Sequence, residues 1–195
     1  MTETLSHIAL RRLSGPDASS WYEPFANVNV STTNEGCLII NAPDVCASTL
    51  VTNDIAEIAP DGRHFRIRGR KDNGVCSGGI KMQIEEIEAK LQPVMDVPFI
   101  ITKRPDAKFG ETVVLLAEIK HDGIDTLEGK EALGGKETLG GKEILEKIKA
   151  ACKARLSKYE QPRVFIVLDR LPMTETGKPA RAEAMKIAAA YECNV

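Results

Sequence analysis

A chain of 195 residues, 43% hydrophobic and 28% charged, has room for one ordinary domain, or for one small domain and part of another. Its composition is that of a globular protein, and a net charge of -2 with a pI near 6.0 gives no electrostatic basis for binding nucleic acid or an anionic membrane. No apolar run is long enough to span a bilayer, and the first residues, MTETLSHIALRRL, lack a secretory h-region.

The cysteines Cys37, Cys46, Cys76, Cys152 and Cys193 are odd in number and lack metal-ligand spacing. They read as scattered reduced thiols, which implies a cytoplasmic protein.

Through about residue 68 the chain carries strand signals and little helical periodicity. Ile8-Ala9-Leu10 is followed by the alternating Val28-Asn29-Val30-Ser31, and then by a turn at Asn34-Glu35-Gly36 leading into Cys37-Leu38-Ile39-Ile40. Leu50-Val51-Thr52, Ile55-Ala56-Glu57-Ile58, the turn Pro60-Asp61-Gly62 and Phe65-Arg66-Ile67 predict a hairpin. Several short strands with no helix to cover them suggest the edge of a larger domain.

The stretch GRKDNGVCSGGIKMQIEEIE, residues 69–88, reads as a flexible seam between two structural bodies. Its opening polar run holds two glycines that suit no regular element, and it then passes the pair Gly78-Gly79. A helix near residues 82–91 follows, with Ile84, Ile87 and Leu91 on one face.

Beyond it the spacing predicts strands at 99–102 and 112–119, and a helix with Ile144, Ile148, Cys152 and Leu156 on one face. A strand at 164–168 and a last helix over about 181–190 complete a small α+β unit able to bury its own core. Leu127, Leu133, Leu139 and Leu145 recur every six residues in LEGKEALGGKETLGGKEIL. That period fits no helical stripe and the Gly-Gly pairs oppose a helix, so the segment reads as a duplicated surface loop or as a repeat that meets a partner.

LPMTETGKPAR, residues 171–181, places Lys178 on a loop before a helix. A lysine held there by a glycine can reach into a cleft as a compact positive charge, although taken alone it reads as a solvated surface side chain.

Three stretches in order, MTETLSHI, LVTNDIAEIAPDGRHFRIRGRKDNGVCSGGIKMQIEEIE and LPMTETGKPAR, resemble the last third of the adenylate-forming enzymes: acyl- and aryl-CoA ligases, peptide-synthetase adenylation domains and luciferases. Within that family, MTETLSHIALRRL followed by WYEPFANVNV looks most like the o-succinylbenzoate–CoA ligases of menaquinone synthesis. The resemblance implies an α+β architecture in two parts. Residues 1–70 would be an incomplete β-rich end of the large AMP-binding domain. Residues 71–195 would be a small mobile domain with a short mixed sheet, flanking helices and a repeat loop at about 125–142.

The resemblance implies a ligase that joins a small-molecule carboxylic acid to coenzyme A, using ATP with Mg2+ and releasing AMP. Lys178 matches the family lysine that bridges carboxylate and phosphate oxygens during adenylation. Thr2 matches the threonine near the nucleotide phosphate and Glu3 the magnesium ligand, suitable as a hydroxyl donor and a hard carboxylate. Asp54 matches the ribose-binding aspartate, Arg70 the arginine beside ribose and phosphate, and Asp72 the hinge of the small domain. Gly78 and Gly79 match the loop at the pantetheine tunnel, and residues 6–10 with His7 the neighbourhood of the acyl group. Each also has a plain reading. Asp54 could be a turn residue, Arg70 half of a surface ion pair, the glycines a tight turn, and His7 a packed strand histidine.

In the family several hundred residues precede this region and carry the phosphate loop and most of the acyl pocket. The chain is therefore expected to be a portion of a ligase, weak or inactive alone, with an N-terminal portion or a second copy completing the cleft. A non-catalytic interaction module built on the small domain is the alternative.

Overall fold

The computed structural model describes Thr4, residues 7–119 and residues 139–191. It is a mixed α+β structure, rich in sheet, that divides after Gly74 into two compact units.

In the first unit β1 (Ala9–Leu10) pairs antiparallel with β2 (Glu23–Pro24). A four-stranded antiparallel sheet follows in the order β3 (Asn29–Thr32), β4 (Cys37–Asn41), β5 (Leu50–Ile58) and β6 (Phe65–Arg70). The two strand segments expected around residues 50–58 are one strand. The register shift between Ile55 and Ala56 bends it, and that irregularity is what made the apolar pattern look broken.

One face of this sheet carries Leu38, Ile40, Ala56 and Phe65, which form a core with Ile8, Val28 and Ala42. Tyr22 stacks on Phe65 with ring centroids 5.4 Å apart and exchanges two backbone hydrogen bonds with it. Among the described residues of this unit the only helical turn is a 3-10 turn at Lys71–Asn73, so the unit has no helix of its own to cover the sheet.

The polar run at residues 69–74, expected to be irregular, is ordered. Gly69 and Arg70 end β6, the 3-10 turn follows, and β7 (Gly74–Ser77) begins at once. β8 (Ile80–Gln83) pairs with β7, so Gly78-Gly79 is the tip of a tight hairpin. Both glycines have positive φ, 58° and 84°, the left-handed conformation that a primed two-residue turn requires at both positions. The helix therefore starts two residues later than periodicity suggested, as α1 (Ile84–Leu91).

The second unit is built on β10 (Gly110–Glu118), which pairs antiparallel with β9 (Phe99–Asp106) and parallel with β11 (Val164–Leu168). The β7–β8 hairpin joins at the start of β10, where Gly110 meets Ser77. α2 (Leu139–Arg155) and α3 (Arg181–Ala190) complete the unit.

The run Val113-Val114-Leu115-Leu116-Ala117 is continuous because β10 is covered on both faces. Val113, Leu115 and Ala117 pack with Ile84, Ile87 and Leu91 of α1 and with Ile148 and Cys152 of α2. Val114 and Leu116 point the other way, toward Ile100, Ile166 and the alanines Ala184 and Ala188 of α3. Each fully buried aliphatic side chain here contributes about 1.5–3 kcal/mol relative to exposure. Residues 139–142 of the six-residue repeat form the first turn of α2. The Gly140-Gly141 pair is tolerated there because packing of Ile148, Cys152 and Leu156 further along stabilises the helix as a whole. Residues 127–138 of the repeat, with Leu127 and Leu133, lie outside the described residues, as does Cys193.

Candidate functional site

Within the first unit, β5 and β6 bring two of the expected residues face to face. Asp54 and Arg70 occupy one register position, and Arg70 Nη1 donates to Asp54 Oδ1 at 3.3 Å. Arg70 Nη2 also lies 3.6 Å from Oδ2 of Asp72, in the 3-10 turn that ends the unit. One guanidinium thus stands between two carboxylates, with Arg70 half exposed. Next to it Lys71 donates to Glu35 at 2.7 Å, and this hydrogen bond, with the charge of the carboxylate, raises the lysine pKa. The Asp54 amide donates to Thr52 Oγ1 at 3.1 Å, which fixes the backbone of the aspartate.

A cluster of this kind offers a carboxylate acceptor for sugar hydroxyls and a cation for a phosphate, spaced by one strand-to-strand step. Exposed pairs such as these add little to stability, so their geometry is more informative than their energy.

His7 lies elsewhere in the same unit. It is exposed, and it lines a surface cavity of about 260 Å3 with Phe25, Asn27, Val28, Asp44 and Val45. Thr2 and Glu3 lie outside the described residues. Among the described residues no three His, Cys, Asp or Glu side chains converge on one point.

The second unit holds the remaining expected residues. Gly78 and Gly79 form the hairpin tip just described. The Gly78 amide donates to the Phe109 carbonyl at 2.9 Å, and a Cβ added at Gly78 would come within 3.5 Å of the Phe109 ring. Above Gly79 there is open space within 4 Å, so the tip is unobstructed. Phe109 in turn lies under the Arg163 guanidinium at 3.8 Å from the ring centroid.

Lys178 is exposed, but its backbone is tightly held. Met173 and Pro179 form an antiparallel bridge, and between them the Thr174 amide donates to the Lys178 carbonyl at 2.7 Å. The Lys178 amide donates to Thr174 Oγ1 at 3.1 Å, and the Gly177 amide to the Thr174 carbonyl at 2.9 Å. Gly177 turns the chain with φ of 73°. A side chain with four rotatable carbons is thereby mounted on a small rigid hairpin.

Three contributors were not singled out by sequence. Thr174 closes the Lys178 hairpin, while Arg181 and Glu88 form a largely buried ion pair beside it. Thr174 was visible as one of the threonines in the motif, but a pair separated by 93 positions leaves no local pattern to read.

No family model matches the chain. "Probable acyl-activating enzyme 4" of Arabidopsis thaliana is 32% identical over 130 residues, covering 65% of this chain and 20% of that protein. A 2-methylpropanoate–CoA ligase of Humulus lupulus is 30% identical over 128 residues, again 65% of this chain and 20% of that protein. The o-succinylbenzoate–CoA synthetase of Bacillus subtilis, solved in complex with its acyl-adenylate intermediate, superposes with a TM-score of 0.69 at 20% identity. It covers all of this chain and 41% of that one, and the likeness shows a shared fold. The homologues and structural neighbours are thus AMP-forming acyl-CoA synthetases and other adenylate-forming enzymes. The chain spans about a fifth of the length of the curated relatives it matches first.

Proposed function

We propose that this chain supplies the nucleotide-ribose edge and the lysine-bearing small domain of an ATP-dependent carboxylic acid–CoA ligase, with o-succinylbenzoate as the acid. The observation that carries this reading is the Asp54–Arg70 pair at one register position, with Asp72 beside it at the end of the unit. The homologous acyl-CoA synthetases support the reaction class, and the segment MTETLSHIALRRL supports the choice of acid by resemblance.

The reaction has two steps. A carboxylate oxygen attacks the α-phosphorus of ATP, the bond to pyrophosphate breaks, and an acyl adenylate forms. The thiolate of coenzyme A then attacks the acyl carbon, the bond to the phosphate oxygen breaks, and AMP leaves. Magnesium supplies charge neutralisation at the phosphates when bound with ATP, and Glu3 is its expected ligand in this chain.

Asp54 would accept hydrogen bonds from the ribose hydroxyls and Arg70 would pair with ribose and phosphate oxygens. Lys178 would place its ammonium between carboxylate and α-phosphate, where negative charge crowds in the transition state. For the second step the small domain would turn about Asp72 and present Gly78-Gly79 to the pantetheine arm, where an unobstructed backbone leaves room for it. A cleft needs a second wall, with a phosphate loop and an acyl pocket. On this reading it comes from further residues of the same enzyme, and the isolated chain is weak or inactive.

The test is o-succinylbenzoate-dependent ATP–pyrophosphate exchange on the chain alone. Exchange near background, with AMP still binding at millimolar concentration, is the expected result. Robust exchange would overturn the reading of a partial site.

A further inference from the structure

Arg181 is the first residue of α3 and stands three positions beyond Lys178. Its Nη1 donates to Glu88 Oε1 at 2.7 Å and to the Ile101 carbonyl at 2.9 Å, and its Nη2 donates to Glu88 Oε2 at 2.6 Å. Glu88 Oε1 also accepts the Ile101 amide at 2.9 Å. The side chains are 24% and 19% exposed, so the pair is mostly withdrawn from water.

Ile101 lies on β9, whose only described strand partner is β10. The ion pair therefore occupies both backbone groups of Ile101 on the edge of β9 that faces away from β10. In one four-group cluster it joins α1, β9 and the start of α3. Desolvation works against the charge of Arg181, and the paired Glu88 more than offsets it, leaving the guanidinium with a raised pKa.

The Lys178 hairpin is tied to the same point. The Ala180 amide donates to the Pro172 carbonyl at 2.9 Å and the Arg181 amide to the Pro179 carbonyl at 3.0 Å. The two ends of the hairpin are thus joined at Ala180, next to the residue whose guanidinium grips the sheet. The Leu171 amide, at the start of the hairpin, donates to Glu118 at 3.0 Å, while the hydrogen bonds of Thr174, Gly177 and Lys178 are internal to the hairpin.

A largely buried ion pair is a poor device for stability alone, because apolar replacements of similar volume often do as well. A bidentate fork is a good device for fixing direction, since two parallel hydrogen bonds define an orientation that a single point charge does not. We propose that the Arg181–Glu88 pair is the positioning element of the Lys178 hairpin, locking its base to the edge of β9 so that the lysine is presented at one place and angle. Its catalytic consequence rests on the reading of Lys178 as the adenylation cation, where a displacement of about 1 Å is costly. The geometric claim stands apart from that reading.

The experiment is amide hydrogen exchange on the full chain, comparing the parent with Arg181→Lys and with Glu88→Gln. Arg181→Lys keeps the charge and loses the fork, and Glu88→Gln keeps the shape and loses the charge. The amides of Gly177 and Lys178 are expected to exchange about tenfold faster in both variants, while those of Val114, Leu115 and Leu116 stay unchanged. Unchanged exchange at Gly177 and Lys178 would overturn the proposal. An equal acceleration in hairpin and core would do so too, because the pair would then serve the fold at large. In an assembled enzyme, Arg181→Lys should lower the rate of ATP–pyrophosphate exchange about tenfold or more without raising the KM for ATP. If Lys178→Ala leaves that exchange intact, the adenylation reading fails while the hydrogen-exchange result still decides the tether.

Discussion

Asp54 and Arg70 face each other across β5 and β6, with Arg70 Nη1 3.3 Å from Asp54 Oδ1. Their ion pair is exposed and monodentate, so a ligand can take over either partner at little cost. Arg70→Ala and Asp54→Asn are each expected to change the chain's stability by less than about 1 kcal/mol. Each should weaken AMP binding about tenfold, as read by isothermal titration. A large loss of stability with unchanged binding would mark the pair as structural.

Lys178 has no stabilising role on this account, because its side chain is exposed and its hairpin is closed by backbone and Thr174. In an assembled enzyme Lys178→Ala should lower ATP–pyrophosphate exchange by about two to three decades. Thioester formation from preformed acyl adenylate should fall by less than about tenfold. Equal losses in both half-reactions would count against the assignment.

Gly79 has φ of 84° and open space where a side chain would go. Gly79→Ala should therefore cost about 1–2 kcal/mol through the left-handed backbone, measurable as a lower urea midpoint. In an assembled enzyme it should slow the thiol step more than adenylation. Loss of adenylation alone would contradict a role for the hairpin tip on the coenzyme A side.

Cys152 sits between α2 and the sheet, 2% exposed, and burial pushes its thiol up from 9.0 to about 11. The folded state favours the neutral thiol, so this stabilisation is complete below about pH 9 and is lost as pH rises through about 11. Urea midpoints at pH 8 and pH 10.5 should differ more for the parent chain than for Cys152→Ala. At Asp61 the shift has the opposite sign. Hydrogen bonds from the Arg63 amide, the His64 side chain and the His64 amide hold its carboxyl at about 2, below the ordinary 3.8. The order of that turn is present above about pH 3.8 and lost as pH falls through about 2, which amide exchange at Arg63 and His64 would report.

Leu116 is fully buried on the α3 face of β10, in one core cluster with Ala184 and Ala188 of α3. Leu116→Ala should cost about 2–5 kcal/mol, read as loss of the cooperative thermal transition of the second unit.

Much of the fold was legible because its elements follow single periods. β11 and α3 lie at the residues their patterns indicated, and α2 buries Ile148 and Cys152, with Leu156 buried just beyond its end. Less was legible at residues 69–83. There short strands depend on pairing with each other and with β10 for their existence, so local propensity alone reads them as a loop. The helix through Gly140-Gly141 has the same cause, since packing overrides propensity. At the site, motif resemblance pointed to Asp54, Arg70 and Lys178, which are local features of a strand, a strand end and a turn. It could not point to Glu88 and Arg181, whose meeting is a product of three elements folding together.

The most direct measurement is a titration of the isotopically labelled chain with AMP, followed by the backbone amide resonances. The account predicts millimolar binding, with the largest shifts at Asp54, Arg70 and Asp72, and loss of those shifts in Arg70→Ala. Shifts of equal size in parent and variant, or none at 10-fold the expected millimolar concentration, would contradict the assignment of this edge to the nucleotide.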